Sequence, residues 1–195
     1  MVAFGDAAAQ FRVYLPQPPA MEAYQQLNSV LALSPGEIEQ IYRHCGNGWR
    51  KIFNVYAKLL CSLPTGVLGA PCTGQSWQQY RDQQLLQAGS GTALCFSAPQ
   101  LPAPAGCLQL IAGRTHARQL LATGMTAELH WLNTEFAVDP QRRLLVTPFF
   151  DYRQLNNAKI QLTARLLQLI RREAPLPQFA AALHTSSGVA AGEPD

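Results

Sequence analysis

Four consecutive residues, Gly113-Arg114-Thr115-His116, combine a turn-forming glycine, a guanidinium, a hydroxyl and an imidazole. Backbone N–H groups at the start of a helix attract anions, and an arginine placed there adds a full positive charge. His116 is a candidate base or hydrogen-bond donor. The glycine would equally serve as a tight turn between a strand and a helix, with no ligand involved. The segment is therefore a candidate binding site for an anion or another polar ligand.

A second segment, Asp151-Tyr152-Arg153, combines a carboxylate, an aromatic ring and a guanidinium. This set can stack on a nucleobase and pair with its edge, or hold a phosphate group. The alternative is structural, with an ion pair between Asp151 and Arg153 and with Tyr152 covering the core. Asp151 joins His116 as a candidate catalytic base. No nucleophile accompanies them, so the sequence leaves open whether the protein is an enzyme.

Other catalytic and metal-binding patterns are missing from the sequence. The five cysteines and four histidines show neither C-x-x-C nor H-x-x-x-H spacing, so we expect no metal and no cofactor. The sequence also lacks a G-x-S-x-G elbow, an H-E-x-x-H helix and a complete G-x-G-x-x-G loop. Cys95 and Cys107 lie inside predicted strands, where a buried thiol is unreactive.

Each of the two polar segments lies between a predicted strand and a predicted helix. The first begins after a strand over Cys107–Ala112 and runs into the first turn of a helix over Arg114–Ala122. The second separates a strand over Arg143–Thr147 from a helix over Asn156–Arg172. Ligands of open parallel sheets bind where the strands end, so we expect both segments to face one cleft.

The remaining pattern predicts an α/β fold with a small, mostly parallel sheet of about four strands. Helices are expected on both faces of the sheet, with a helical N-terminal layer. Residues 1–175 are predicted to form a single domain, and residues 176–195 a flexible tail. The other predicted strands cover Phe11–Leu15, Thr92–Ser97 and Glu128–Leu132, and the N-terminal helices cover residues 34–45, 49–63 and 76–88.

The strongest local signal for a helix start is Ser34-Pro35-Gly36-Glu37. Serine is a preferred N-cap, proline fits the first helical position, and glutamate three residues after the cap completes a capping box. We therefore predict a helix that is capped by Ser34 and runs to about Cys45.

The composition indicates a globular and mildly basic protein. Of 195 residues, 48% are hydrophobic and 14% are charged, and the formal net charge is +3. This balance permits an anionic ligand but is far from that of a DNA-coating protein. No run approaches the roughly 18 apolar residues of a transmembrane helix, and the first ten residues lack the pattern of a signal peptide. With scattered cysteines interpreted as reduced thiols, these features predict a cytoplasmic protein with no membrane partner.

The two strand–loop–helix units resemble the C-terminal half of the uracil-DNA glycosylase superfamily. Leu110–Ala117 is similar to a strand that runs into a helix start with a glycine and an alanine, and Leu145–Arg153 stands where a later strand and polar loop would lie. The resemblance implies a four-stranded parallel sheet. Glycosylase activity does not follow, because residues 97–100 lack the superfamily's water-activating Asp or Asn and the later loop lacks its His-Pro-Ser sequence. The implied protein is a fold relative with altered or lost catalysis.

The rest of the chain resembles uncharacterised conserved bacterial proteins, which imply no activity. The sequence therefore predicts binding of a nucleotide, a nucleobase or a nucleic-acid end in a cleft at the C-terminal ends of the strands. The alternative is a non-catalytic protein–protein interaction module or a homo-oligomeric structural protein, such as a homodimer. In that case residues 75–87 or the helix over 156–172 would hold the partner. The two hypotheses differ in whether the charged residues of the two polar segments line one concave pocket.

Overall fold

The computed structural model describes residues 1–68, 72 and 74–186 of the chain. Helices and strands alternate irregularly along these residues, with most of the helices in the first half. In chain order the elements are β1 (Ala3–Gly5), β2 (Phe11–Tyr14), α1 (Glu22–Gln25), β3 (Val30–Leu31), α2 (Glu37–Cys45), α3 (Asn47–Cys61), α4 (Thr65–Leu68), α5 (Trp77–Gln83), β4 (Thr92–Cys95), β5 (Leu108–Ala112), α6 (Arg114–Ala122), β6 (His130–Trp131), β7 (Ala137–Asp139), β8 (Leu144–Thr147), α7 (Asn157–Arg171) and α8 (Leu176–Ser186).

The eight strands form one mixed sheet in the order β3–β1–β4–β2–β5–β8–β7–β6. The four neighbouring strands β4, β2, β5 and β8 run parallel to one another. Strands β1, β7 and β6 add antiparallel pairings on the two sides of this centre. The predicted sheet of about four mostly parallel strands therefore has too few strands and lacks the antiparallel pairings. The prediction missed β1, β3 and β7, which have only two or three residues each and show no readable alternation.

Apolar side chains cover both faces of the sheet, because successive residues of a strand point to opposite sides. In β2, Phe11 and Val13 pack in the large core formed with α2, α3, α5, α7 and α8. Tyr14 lies instead in a smaller core on the other face, together with Ala117 and Leu120 of α6. The structure therefore has helices on both faces of the sheet and a helical N-terminal layer, as the sequence predicts.

Helix α2 begins later than the sequence predicts. The N–H of Glu37 donates to the carbonyl of Ser34 at 3.1 Å, and Gly36 between them has a φ of +86°. Proline followed by a glycine at positive φ is the signature of a type II turn. Residues 34–37 thus form a turn, and the Glu37 carboxylate accepts from the Ser34 N–H at 2.6 Å. The prediction that Ser34 caps the helix was wrong.

Helix α8 occupies the start of the range 176–195, which the sequence assigned to a flexible tail. Phe179 in this helix is fully buried and Ala182 is nearly so, both within the large core. The packed structure therefore extends beyond residue 175 to the end of α8. The rest of the predicted tail, residues 187–195, lies outside the described residues.

Two cysteines that the sequence interpretation treated as reduced are paired, since Cys61 at the end of α3 forms a disulfide with Cys72. Cys95 and Cys107 are free and buried. Burial raises the pKa of the Cys95 thiol to about 12 and raises that of Cys107, so neither forms a thiolate near neutral pH. Among the described residues no helix is long and apolar enough to span a membrane. A cytoplasmic location stays a prediction.

Candidate functional site

A cleft opens in the structure where the parallel strands β2, β5 and β8 end. Its cavity measures about 610 Å³, within the range of roughly 300 to 1,000 Å³ that is common for small-molecule sites. Pro16 and Gln17 enter it directly after β2, and Pro148 and Phe149 enter it directly after β8. The cleft thus lies at the edge of the sheet where the sequence predicts a ligand site.

The strand order explains why the cleft forms at this place. The strand that follows β2 in the parallel centre of the sheet, β4, lies on one side of β2, and the next strand, β5, lies on its other side. The direction in which strands are added to the sheet therefore reverses at β2. The crevice at such a reversal, outside the C-terminal ends of the strands, is the usual ligand site of open α/β sheets. After β2 the chain continues to the helices on one face of the sheet, and after β5 it continues to α6 on the other face. The two loops therefore diverge and leave a crevice between them.

The first polar segment forms the wall of the cleft at the start of α6. Gly113 precedes the helix with a φ of +102°, and its N–H donates to the carbonyl of Thr147 at 2.9 Å. The carbonyl of Gly113 accepts from the N–H of Ala117 at 3.1 Å, which closes the first helical turn. Residues 113–116 all line the cleft, and their role in ligand binding stays a prediction. The positive end of the α6 dipole therefore lies at the cavity wall.

His116 carries an imidazole nitrogen that has no partner. Its Nε2 atom is buried and makes no hydrogen bond to any described residue. Burial also lowers the pKa of His116, so the imidazole is neutral near pH 7. A neutral imidazole can donate or accept one hydrogen bond at Nε2, depending on its tautomer. His116 lines the cleft, but its Nε2 atom has almost no accessible surface, so a ligand reaches this nitrogen only if the imidazole turns toward the cavity.

Arg114 brings a positive charge to the rim of the cleft. Its Nη1 atom donates to the carbonyl of Thr134 at 3.1 Å, and its guanidinium lies 5.3 Å from the centre of the Trp131 ring. No ion pair to a carboxylate is formed by Arg114 within the described chain. Glu135 also lines the cleft, but its carboxylate accepts from Lys159 Nζ at 2.7 Å. The charge left for a ligand is therefore positive.

The second polar segment does not line the cleft. Asp151 Oδ2 accepts from Lys51 Nζ of α3 at 2.8 Å, and Asp151 Oδ1 accepts from the backbone N–H of Arg153 at 2.9 Å. Tyr152 is 51% exposed. The structural alternative predicted an ion pair between the side chains of Asp151 and Arg153. In the structure the ion-pair partner of Asp151 is Lys51. Roles for Asp151, Tyr152 and Arg153 in ligand binding stay predictions.

The Lys51–Asp151 pair gives a prediction for stability at low pH. The hydrogen bond from Lys51, with a second from the Arg153 N–H, lowers the pKa of Asp151. A carboxylate with a lowered pKa adds stability above its unfolded value of 3.8, and that stability is lost as the pH falls through the lowered folded pKa. We expect Asp151→Asn to cost about 1 kcal/mol at pH 7 and clearly less at pH 2. Denaturant unfolding of both proteins between these pH values is the measurement, and an equal cost at both ends would contradict it.

Several lining residues were missed by the sequence interpretation, above all Pro16 and Gln17. The signal for them was present, since Pro16 ends a predicted strand and the next polar side chain is Gln17. What the sequence did not reveal is that this strand lies between β4 and β5, which places its end at the reversal point. Gln154 was missed in the same way, because it follows the predicted segment by one residue.

A second cavity, of about 440 Å³, lies near the beginning of β8. Three of the charged groups around it are in ion pairs, and the fourth, Glu128, lies 3.9 Å from the His130 ring. Asp139 is bonded to Arg142 at 3.0 Å, and Arg143 is bonded to Glu173 at 3.3 Å. It also lies at the end of β8 opposite to the one where ligands of parallel sheets bind. The cleft at the C-terminal ends is therefore the better candidate site.

The fold and the cleft define an α/β protein with a ligand-sized cavity at the C-terminal ends of its central parallel strands. A family model described as a family of unknown function (DUF6942) matches residues 2–168. The chain belongs to this family. No curated protein and no solved structure matches the chain. None of these comparisons shows the likeness to the uracil-DNA glycosylases that the sequence suggests.

Proposed function

We propose that this protein binds a nucleotide or a nucleobase, free or at the end of a nucleic acid, in the cleft beside α6. The observation that carries the proposal is the convergence of three groups in one cavity at the strand reversal. These groups are the first turn of α6, the side chain of Arg114 and the imidazole of His116, all of which line the cavity. Together they offer positive charge and hydrogen bonds without a competing free carboxylate.

The lining of the cleft also suits a flat polar ligand. The Phe149 ring and the Pro16 and Pro148 side chains supply apolar surface against which a base can lie. Gln17 and Gln154 supply amide groups, each able to donate and to accept at a base edge. A phosphate group would be bound near Arg114 and the N–H groups of the first turn of α6. A nucleotide has both kinds of group in one small molecule.

The proposal is a binding function with no reaction step. Asp151 is held by Lys51 outside the cleft, and Glu135 inside it is held by Lys159. No hydroxyl or thiol of the described residues is hydrogen-bonded to His116 Nε2, so no nucleophile is activated through this atom. Four adjacent parallel strands are what the glycosylase resemblance implies, so a glycosylase-like fold with altered or lost catalysis is part of the proposal.

The charged residues of the two polar segments do not line one pocket, since Arg114 and His116 line the cleft and Asp151 and Arg153 do not. The hypothesis of an interaction module nevertheless has less support. It assigned the partner surface to residues 75–87 or to the helix over 156–172. The apolar residues of α7, among them Leu166, Leu167 and Ile170, are buried inside the protein. They are therefore used for folding and do not form a free face for a partner. The large hydrophobic side chains that the described chain exposes are isolated from one another in sequence: Leu31, Trp131, Tyr152 and Leu176.

A thermal-shift screen against mononucleotides and free nucleobases tests the proposal. A ligand at about 100 times its dissociation constant adds roughly 2.7 kcal/mol of stability, which gives a clear increase in melting temperature. Arg114→Ala should reduce the shift for a phosphorylated ligand, because it removes positive charge from the rim. His116→Ala should reduce the shift for the base as well, because it removes the imidazole from the wall of the cleft.

Arg118→Ala is the matched control for the charge. Arg118 is one turn further along α6, is exposed, and does not line the cleft. Its removal changes the net charge as much as Arg114→Ala does, but the ligand shift should be unchanged. Two results would overturn the proposal: the absence of a shift with every nucleotide and nucleobase, or an equal loss of the shift in both arginine variants.

A further inference from the structure

Two exposed aromatic rings lie beside the cleft, and each is accompanied by a cation. Trp131 on the edge strand β6 is 39% exposed, and Arg114 lies over its ring at 5.3 Å. Arg114 is itself part of the cleft wall and is bonded to the Thr134 carbonyl, which belongs to another lining residue. Trp131 is therefore placed at the rim of the cleft.

The second ring is Tyr152, in the loop that follows β8. The Lys51 ammonium lies 4.9 Å from the centre of this ring. Phe149 and Gln154, on either side of Tyr152 along the chain, both line the cleft. Tyr152 is thus held on the loop that borders the cavity, with about half of its surface in solvent.

Large exposed aromatic rings are unusual in this chain and call for a reason. The described residues contain four exposed large hydrophobic side chains, and the two aromatic ones are both next to the cleft. A protein partner would account for the aromatic rings and for Arg114, because these residue types are enriched at interfaces, but it would not account for the helix N-terminus that lines the same cleft. Rings beside cations are instead the usual surface for stacked bases with nearby phosphates.

We infer that the ligand is a single strand of nucleic acid, which crosses the mouth of the cleft with its bases stacked on Trp131 and Tyr152. This inference rests on the proposed function, since one nucleotide of the strand occupies the cleft. Arg114, which forms no ion pair with a carboxylate of the described residues, then lies beside the phosphates that join the stacked nucleotides, whereas Lys51 is paired with Asp151. A duplex does not fit, because its bases are already stacked on one another and present no free face to the two rings.

The direct test is fluorescence anisotropy with a labelled oligothymidylate of about eight nucleotides, a length typical of single-strand sites. Thymidine monophosphate and a duplex of the same length serve as competitors. We expect the oligonucleotide to bind more tightly than the monophosphate, and the duplex to compete poorly. The oligonucleotide affinity should also fall steeply with salt, because phosphate contacts release counterions.

Variants of the two rings separate stacking from other effects. Trp131→Ala and Tyr152→Ala should each weaken oligonucleotide binding by about tenfold, and by clearly more than they weaken binding of the monophosphate. Tyr152→Phe keeps the ring and should bind as the parent does. Leu31→Ala, at the other edge of the sheet, removes an exposed hydrophobic side chain far along the strand order and should have no effect. Circular dichroism of each variant establishes that it is folded.

The outcomes distinguish this inference from the proposed function. If the monophosphate binds but the oligonucleotide binds no more tightly, or if neither ring variant weakens it, the single-strand inference is overturned and the cleft function stands. Duplex binding as tight as that of the single strand would also overturn it. If no nucleotide or oligonucleotide binds at all, both the inference and the proposed function fail.

Discussion

Replacing Phe150 with alanine is expected to lower the free energy of unfolding by about 4 kcal/mol. The Phe150 ring is fully buried directly after β8 and packs edge-on against the ring of Tyr56 in α3, with 6.0 Å between the ring centres. Removing it leaves a cavity between the sheet and α3, because neither element can collapse into the space. Unfolding in urea, followed by circular dichroism, measures the difference from the parent protein.

Phe150 also holds the loop that borders the cleft, so the variant separates two kinds of effect. Tyr152→Ala is the matched control, since it removes an aromatic ring from the same loop at a position that is mostly in solvent. We expect this control to change stability by no more than about 0.5 kcal/mol. A similar loss of stability in both variants would show that burial does not determine the cost, contrary to the packing described for Phe150.

Gly5→Ala is expected to destabilise the protein by about 3 kcal/mol, although it adds a single carbon atom. Gly5 has a backbone φ of +111°, which residues with a side chain rarely adopt. A Cβ at this position would also lie 2.2 Å from the carbonyl oxygen of Thr92 in β4. That oxygen accepts from the N–H of Asp6 at 2.9 Å and has little freedom to move. The substitution must either separate β1 from β4 or break this hydrogen bond. Chemical denaturation measures the loss.

Gly48→Ala provides the control for Gly5→Ala. Gly48 lies in the first turn of α3, is exposed, and has open space around the position of a Cβ. Alanine there loses less conformational entropy on folding than glycine does, so we expect a gain of roughly 0.5 kcal/mol. If Gly5→Ala is as stable as the parent, the close approach of β1 to β4 does not exist in solution.

The sequence predicted the central elements of the fold because their patterns are long and regular. The apolar residues of α3 and α7 recur with helical spacing over fifteen residues in each helix. Strands β4, β5 and β8 are fully buried runs bounded by turns. The edge strands were not predictable in this way, because two or three residues carry no period and are strands only through their neighbours. The misassigned start of α2 has a similar cause, since proline and glycine fit both a helix start and a turn.

Residues of the site were predictable from the sequence only where their neighbours in the chain determine their place in the fold. Residues 113–116 follow a buried strand, so their place at the cleft follows from the chain itself. The partner of Asp151 does not, because Lys51 is 100 residues away in sequence and meets it only through the packing of α3. The end of β2 became part of the cleft through the strand order, which no local pattern encodes.

The position of β2 between β4 and β5 has a consequence for synthesis of the chain. β2 is made early, but both of its neighbours follow the helical segment and begin on the order of 80 residues or more later. At translation rates of roughly 5 to 20 residues per second, β2 waits about 4 to 16 seconds before its first partner exists. During this time its apolar residues are exposed on the nascent chain. The yield of folded protein should therefore depend on whether a ribosome-associated chaperone, or early formation of α2 and α3, covers this strand. The stability of the finished protein should not depend on either.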